Sequence, residues 1–283
     1  MLERFDRIQV TTTNRGGLAS AFSRLLDAEV SGETRSEALA ARRTTLRVGA
    51  SLVELLEPDG AGRVQAHVAE TGGGLFAAGF ACRGLAALAR HWERSGVDFA
   101  RDGDALLATG QALGVPGLDV VVADAEPRRA VGLLRGFYEV THLTPDALRD
   151  AKRIAEVFDL DARHFVPIRS EAYGYEGTLT LFDPARLDRV ETITPHDRGK
   201  TMGRYFRKRG PCFYMGYTEC DDTAKVRERL VEHAPDAWTG PRDGPAPDNL
   251  FIHPAALGGL MLGISRTTHA WSWSGSPERV EPR

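Results

Sequence analysis

The chain has 283 residues, 42% hydrophobic and 27% charged, with a formal net charge of -3. That length suggests about two domains, the composition supports ordinary cores, and the charge gives no general case for nucleic acid or an anionic membrane as partner. The three cysteines, Cys82, Cys212 and Cys220, form no short metal-type pair and fit reduced thiols in a cytoplasmic protein. No apolar run reaches about 18 residues, the length a spanning helix needs. The N-terminal stretch Met1-Leu2-Glu3-Arg4-Phe5-Asp6-Arg7 lacks the apolar centre of a signal peptide.

Phe5 to Thr12 reads as a strand, with Arg7, Gln9 and Thr11 on one face and Ile8 and Val10 on the other. A helix follows from about Gly17, its apolar face built by Leu18, Ala21, Phe22, Leu25 and Leu26. Strands are expected near Thr44–Val48 and Ser51–Leu56. The pattern then restarts with a strand over Leu75–Cys82, a short helix marked by Leu85, Leu88 and Trp92, and strands near Ala105–Thr109 and Leu118–Ala123. Ala125-Glu126-Pro127-Arg128-Arg129 reads as a linker.

The second half follows the same plan. Phe137–His142 is a strand, and Thr144-Pro145-Asp146 reads as a helix start with a Thr cap and Pro at the first helical position. Ala147, Ala151, Ile154 and Phe158 share a helical face. Strands near Gly177–Leu181 and Arg189–Ile193 come next. A fourth unit opens at Phe213, carries a helix over Thr223–Val231, and closes with Leu250–His253 and Leu260–Ile264. Trp271 and Trp273 alternate with serine and read as a hydrophobic edge or an extension of the last strand. The polar tail after about Ser274 is expected to be loose.

The halves are related residue by residue. Glu54 and Glu191, Pro58 and Pro195, Phe76 and Phe213, Gly79 and Gly216, and Phe80 and Tyr217 are each separated by 137 positions. A fixed offset across a glutamate, a proline, a glycine and two aromatics indicates a duplicated unit. Phe5 matches Phe137 at an offset of 132, so Arg7 corresponds to Glu139.

Four strand–helix–strands units in two halves resemble the vicinal oxygen chelate superfamily, which includes glyoxalase I, methylmalonyl-CoA epimerase, extradiol dioxygenases and bleomycin-resistance proteins. The local likeness is to the epimerase group. It rests on Val53-Glu54-Leu55-Leu56-Glu57-Pro58 before Gly74-Leu75-Phe76-Ala77-Ala78-Gly79-Phe80, and on Phe251-Ile252-His253-Pro254 before Gly258-Gly259-Leu260-Met261-Leu262-Gly263-Ile264. The resemblance implies an α+β fold of four βαβββ units, paired into two tandem glyoxalase-like domains (1–124 and 132–274) whose sheets curl into cups. It also implies a divalent metal held in a cup by histidines and carboxylates.

The implied ligand positions depart from that pattern. In the first half they fall on Arg7, Glu54, Ala77 and either Val121 or Val122; arginine cannot coordinate, and Arg7 and Glu54 are expected to form an ion pair. In the second half they fall on Glu139, Glu191, Tyr214 and Gly263. Two readings follow there. Glu139 and Glu191 hold Mg²⁺ or Mn²⁺ weakly, or they share a proton in a dry cup as a general acid and base, with Tyr214 donating to a substrate oxygen. Without the histidines no metal cofactor is the leading expectation.

Three further features bear on function. Thr71-Gly72-Gly73-Gly74 leads into a strand rather than a helix, so it reads as a flexible crossover rather than a nucleotide loop. Arg198, Lys200, Arg204, Arg207, Lys208 and Arg209 crowd the segment between Pro195 and Pro211, with Tyr205 and Phe206 among them. That run reads as a solvated basic face, a self-association surface, or a lure for an anionic ligand at the cup mouth. His142 lies on the face opposite Glu139 and should pack inward; His253 reads as structural.

The leading functional expectation is proton transfer of isomerase or lyase type on a carbonyl, acyl-CoA or aromatic acid, with Glu139, Glu191 and Tyr214 catalytic. Arg7, Glu54, Phe213, Arg204 and Tyr205 are the candidate substrate-binding residues. A metal-free sequestering protein of the resistance type, walled by Phe76, Phe80, Phe213, Tyr214 and Tyr217, is the alternative. A degenerate ring-cleaving dioxygenase and a scaffold whose basic segment meets a partner are further readings. A small molecule is the expected partner, with a homodimer left open.

Overall fold

The computed structural model describes residues 1–282. Its first half runs β1 (Leu2–Thr11), α1 (Arg15–Leu26), β2 (Glu29–Ser36), β3 (Ala41–Val48), β4 (Ser51–Pro58), α2 (Arg63–Thr71), β5 (Gly74–Cys82), α3 (Leu85–Arg94), β6 (Ala100–Asp102), β7 (Ala105–Ala108), α4 (Gly110–Leu113) and β8 (Val120–Asp124). The second runs β9 (Gly136–Leu143), α5 (Ala147–Phe158), β10 (Val166–Ser170), β11 (Tyr175–Leu181), β12 (Arg189–Pro195), α6 (Thr201–Arg209), β13 (Cys212–Cys220), α7 (Thr223–His233), β14 (Trp238–Thr239), β15 (Asn249–Ile252) and β16 (Leu262–Arg266). Each half forms one eight-stranded sheet, and the two strand orders are the same: β2-β3-β4-β1-β5-β8-β7-β6 and β10-β11-β12-β9-β13-β16-β15-β14. The α+β architecture of four strand–helix–strands units is therefore the one the sequence implied. No helix among the described residues is long and apolar enough to cross a membrane.

The repeat extends to local chemistry. Asn14 caps α1 and Asp146 caps α5, each through a side-chain oxygen that accepts from a backbone N–H of the first turn. Both helices end on a left-handed aspartate, Asp27 and Asp159. All four residues obey the offset of 132 seen for Phe5 and Phe137. The expected Thr144 cap is corrected: the Thr144 hydroxyl accepts from the Asp146 N–H at 3.3 Å and donates to Asp150, and Asp146 is the cap.

The ladder also corrects part of the duplication. Gly79 pairs with Arg7, whereas Tyr217 pairs with its counterpart Glu139. Gly79 thus matches Tyr217, not Gly216, and the offset in this strand is 138 rather than 137. Phe76 consequently matches Tyr214, and Leu75 matches Phe213. A one-residue slip moves a side chain to the other face of a sheet, and that decides which aromatics reach a cup.

One core spans both halves on the sheet faces opposite the cups. Ile8 and Val10, Val53 and Leu55, and Ala78 and Phe80 point there from β1, β4 and β5, joined by Phe137, Val140, Leu262 and Ile264. The Phe5 and Phe137 rings lie 6.2 Å apart, and Phe80 meets Phe182 at 5.4 Å and Phe158 at 5.7 Å. Trp92 of α3 donates its indole N–H to the Val157 carbonyl of α5 at 2.8 Å, which satisfies the one polar atom of a fully buried ring. His142 is buried here too, with Nε2 3.0 Å from the Pro116 carbonyl.

The glycine-rich segment packs against the other half. Gly72 ends α2 in the left-handed region, and Gly73 and Gly74 lie against Gly259 from the other half. A Cβ on Gly259 would stand 2.6 Å from the Gly74 Cα, at a φ of +96°. The tail is also docked. His269–Trp273 forms a 3-10 turn with Trp271 buried, and the Arg279 guanidinium stacks 3.6 Å from the Trp271 ring centre. Neither tryptophan extends the last strand.

Gly259→Ala should destabilise the fold by about 3 kcal/mol, from left-handed strain plus a backbone clash. Gly96→Ala, also at positive φ but with nothing within 4 Å, should cost only about 1 kcal/mol. Equal midpoints for the two variants in urea unfolding would refute this account of the junction.

Candidate functional site

The cup faces follow from strand alternation. Arg7, Gln9 and Thr11 of β1 share a face with Glu54 and Leu56 of β4. In the second half, Glu139, Thr141 and Leu143 of β9 share one with Arg189, Glu191 and Ile193 of β12. Register places Glu54 beside Gln9 and Glu191 beside Thr141, so the two glutamates are equivalent.

The first cup is filled by charge. Arg7 Nη1 lies 2.9 Å from Glu54 Oε1, the expected ion pair. Gln9 Nε2 donates to Glu54 Oε2 at 2.8 Å, so both carboxylate oxygens are engaged. The same guanidinium holds Asp6 at 2.9 Å, and Arg128 holds the other Asp6 oxygen at 2.5 Å. Arg43 lies 3.6 Å from Glu54 and pairs with Asp102. Leu39, Leu56, Val64, Phe76, Leu107 and Val121 close around this network. Val121, not Val122, faces the cup. Gly79 leaves the space the arginine stem occupies, since a Cβ there would sit 2.0 Å from Arg7 Cγ.

The second cup reverses the order of signs. Here the anion Glu139 stands on the first strand and the cation Arg189 on the neighbouring one. Arg189 Nε donates to Glu139 Oε2 at 2.5 Å, with both side chains buried. The guanidinium also lies 5.2 Å from the Tyr138 ring centre. Its Nη2 has no hydrogen-bond partner among the described residues. Glu191, two residues further along β12, is bonded to no cation. Its Oε2 accepts from the Thr141 hydroxyl at 2.6 Å and its Oε1 from the Tyr175 hydroxyl at 3.3 Å.

That difference in partners separates the two acids. Burial pushes both carboxyls up, and Arg189 holds Glu139 back. Glu191 is pushed up to about 8, first by burial and then by the Glu139 charge. Of the two acids, only Glu139 has a cation bonded to it.

An aromatic and apolar wall surrounds the acids. Tyr138, Leu179, Leu181, Leu187 and Trp271 pack at one end, joined by Tyr217 and Trp273. The Tyr217 ring lies where a Gly263 side chain would be, 2.3 Å from an ideal Cβ there. At the other end Tyr175, Ile193, Leu143 and Met202 meet Tyr205, Phe206 and Tyr214.

Several expected site residues are relocated. Tyr214 makes no hydrogen bond to either glutamate; its ring packs edge-on against Tyr205 at 5.3 Å, at the mouth. The phenol at Glu191 is Tyr175. Phe213 turns into the shared core against His142, with ring centres 6.1 Å apart, because of the slipped register. Phe80 lies in that core as well. Arg204 is exposed and folds back on the Gly199 carbonyl and the Thr201 hydroxyl, away from the cup. Arg7 and Glu54 are committed to each other. Tyr205 does reach the mouth.

The donor set does not suit a chelated metal. Among the described residues no group of three or more His, Cys, Asp or Glu side chains is placed to hold one. The Mg²⁺ or Mn²⁺ reading at Glu139 and Glu191 meets a specific obstacle: a guanidinium already bonded to Glu139. Gly263 brings no donor from the last strand.

Arg189, Tyr175 and Thr141 are the site residues that motif reasoning missed. Arg189 and Glu191 are two apart on one strand, so alternation alone would have put the arginine beside the acid.

No protein-family model matches the sequence, and no curated protein does. Among solved structures the chain is similar to a mutant 4-hydroxymandelate synthase from Streptomyces coelicolor, at 14% identity and TM-score 0.69, over 99% of this chain and 97% of that one. That likeness shows the fold: the chain shares the architecture of that synthase over nearly its whole length. A variant methylmalonyl-CoA epimerase from S. coelicolor matches 44% of the chain at 19% identity and TM-score 0.39, covering all of its own length. The Mycobacterium tuberculosis epimerase matches 47% at 19% identity and TM-score 0.40, over 89% of its length. Likenesses that slight decide nothing about chemistry.

Two predictions test the electrostatics. A carboxyl raised from 4.5 to about 8 binds its proton more tightly in the folded state. Its contribution is fully present below the unfolded value and is lost as pH rises through the folded one. Glu191→Gln should therefore flatten the fall in stability across that window and exceed the parent by on the order of a few kcal/mol at pH about 9, with little difference near pH 5. Parallel stability curves would remove Glu191 as the proton holder. Arg189→Met should cost about 3–5 kcal/mol by stranding Glu139, and adding Glu139→Leu should recover most of that in denaturant melts.

Proposed function

We propose that the second cup binds a small organic compound with an aromatic or apolar body and a carbonyl or carboxyl group, and that Glu191 moves a proton on it. The observation that carries this reading is Glu191 itself: a buried acid, bonded only by hydroxyls, whose charged form the site disfavours. Such a group can both give and take a proton near neutral pH, whereas an exposed carboxylate stays ionised there. Thr141 and Tyr175 fix its orientation. Arg189 keeps its Nη2 without a protein partner in the same cup, and that donor suits a carbonyl oxygen gaining negative charge.

The reaction class is isomerase- or lyase-like: removal of a proton beside a carbonyl and its return, or loss of a neighbouring group. The chemistry uses Glu191 as acid or base, the Arg189–Glu139 pair as the fixed electrostatic frame, and the wall of Tyr138, Tyr217 and Trp271 as the apolar seat. The solved neighbour's name refers to an aromatic hydroxy acid, 4-hydroxymandelate. Sequestration without turnover uses the same wall but assigns Glu191 no task.

Solvent exchange distinguishes the two. The protein is incubated in D₂O with a panel of arylpyruvates, 2-aryl acids and acyl thioesters, and loss of the proton next to the carbonyl is followed by NMR. The exchange rate should rise toward pH about 8 if Glu191 acts as base. Glu191→Gln should lower exchange by about a hundredfold or more while the same compound still raises the melting temperature. Undiminished exchange in that variant would overturn the assignment, and stabilisation by a compound that never exchanges would favour sequestration.

A further inference from the structure

A cleft lies where the halves meet, apart from the buried acids. This cleft measures about 620 Å³, within the size range of small-molecule sites. It takes one wall from the first half, His67 of α2 and Phe76 of β5, and the other from the second half, Tyr205 and Arg209 of α6 and Tyr214 of β13. Gly74 and Gly259, whose backbones touch, also line it. That contact leaves no room for a Cβ, so the walls are set at a fixed spacing by the glycine-rich segment. The segment therefore has a use that is neither nucleotide binding nor flexibility.

The lining has a definite chemistry. Three aromatic rings converge, with Tyr205 edge-on to Tyr214. Arg209 lies 5.9 Å from the Tyr205 ring centre and makes no ion pair with any described residue. The opposing acids are Asp119, which Arg63 engages, and Glu70, which is exposed. His67 is tied through Nδ1 to the Thr11 hydroxyl at 2.7 Å, so its Nε2 is the ring atom left for a ligand. Burial and the Arg209 charge both keep this imidazole neutral.

We propose that this cleft is a second binding site, for a planar aromatic monoanion such as an aryl carboxylate. Arg209 meets the anionic group, Phe76 and Tyr214 enclose the ring, and His67 Nε2 contributes a hydrogen bond. The site is independent of the proton-transfer reading of Glu191, because no residue is shared with that acid's hydrogen-bonding partners.

The test uses the full chain, isothermal titration, and two probes: 2-naphthoate and its uncharged analogue 2-naphthamide. Naphthoate should bind at a site sensitive to Arg209, and naphthamide about tenfold more weakly or worse there. Arg209→Gln should lower naphthoate affinity about tenfold, and Tyr214→Ala should weaken both probes. Glu191→Gln should change neither, even where it abolishes proton exchange. No naphthoate binding, equal affinity for the two probes, or loss of binding in Glu191→Gln but not in Arg209→Gln would overturn the site. Melting curves of each variant confirm that a loss of binding is not a loss of fold; should Tyr214→Ala unfold, Tyr205→Leu replaces it.

Discussion

One cation between two buried acids sets the chemistry of the second cup. Arg189 bonds Glu139 and leaves Glu191 with hydroxyl partners. A second carboxylate ionised at this depth would be desolvated and repelled by Glu139, a cost of several kcal/mol that no further cation offsets. That imbalance pushes the Glu191 carboxyl upward. Burial first, and then this shortage of positive charge beside Glu139, set Glu191 apart. Adding a second arginine would make the acid an ordinary buried ion; removing Arg189 would leave two acids competing for one proton.

The first cup shows what happens when the shortage is absent. Glu54 occupies the position of Glu191 in the repeat, yet Arg7 and Gln9 engage both its oxygens, and Arg43 stands close behind. The scaffold is the same down to strand order and helix caps. On the first strand Glu139 stands where Arg7 does, and on the neighbouring strand Arg189 joins the glutamate that both cups carry. Duplication thus supplies two cups of one shape, and a few side chains decide that one glutamate is paired with cations and the other is held only by hydroxyls. Fold alone does not carry function here; the charge count inside each cup does.

Much of this was legible in the sequence, for a physical reason. Repeated units have repeated periodicity, so the strands, helices and doubled architecture could be read from Arg7, Gln9 and Thr11 alternating with Ile8 and Val10, and from the recurring Glu54 and Glu191. The Arg7–Glu54 pair followed from register between neighbouring strands. What was not legible depended on distances of one residue. The connection between β12 and β13 is longer by one than its counterpart, and that turned Phe213 into the core and brought Tyr214 to the mouth. Tyr175 approaches Glu191 from another strand, and no pattern within one segment announces a cross-strand hydrogen bond. Arg189 was a different kind of omission: its alternation with Glu191 was visible, but it belongs to no ligand pattern of the resembled family.

The glycine junction limits how the molecule can work. Backbones that touch at Gly74 and Gly259 cannot slide without losing contact, and the shared core of Phe5, Phe80, Phe137 and Phe158 resists separation of the halves. A hinge between domains is therefore a poor way to admit a ligand. The adaptable parts are smaller: the aromatic mouth at Tyr205, Phe206 and Tyr214 on the short helix α6, and the 3-10 turn carrying Trp271 and Trp273. Of these, α6 is the better candidate for movement, since its N-cap makes no side-chain hydrogen bond, whereas Trp271 is buried beneath a guanidinium. Tyr205 and Tyr214 also form a wall of the cleft between the halves. A ligand seated there would lie against the same two rings that pack beside Tyr175 and Ile193 of the second cup.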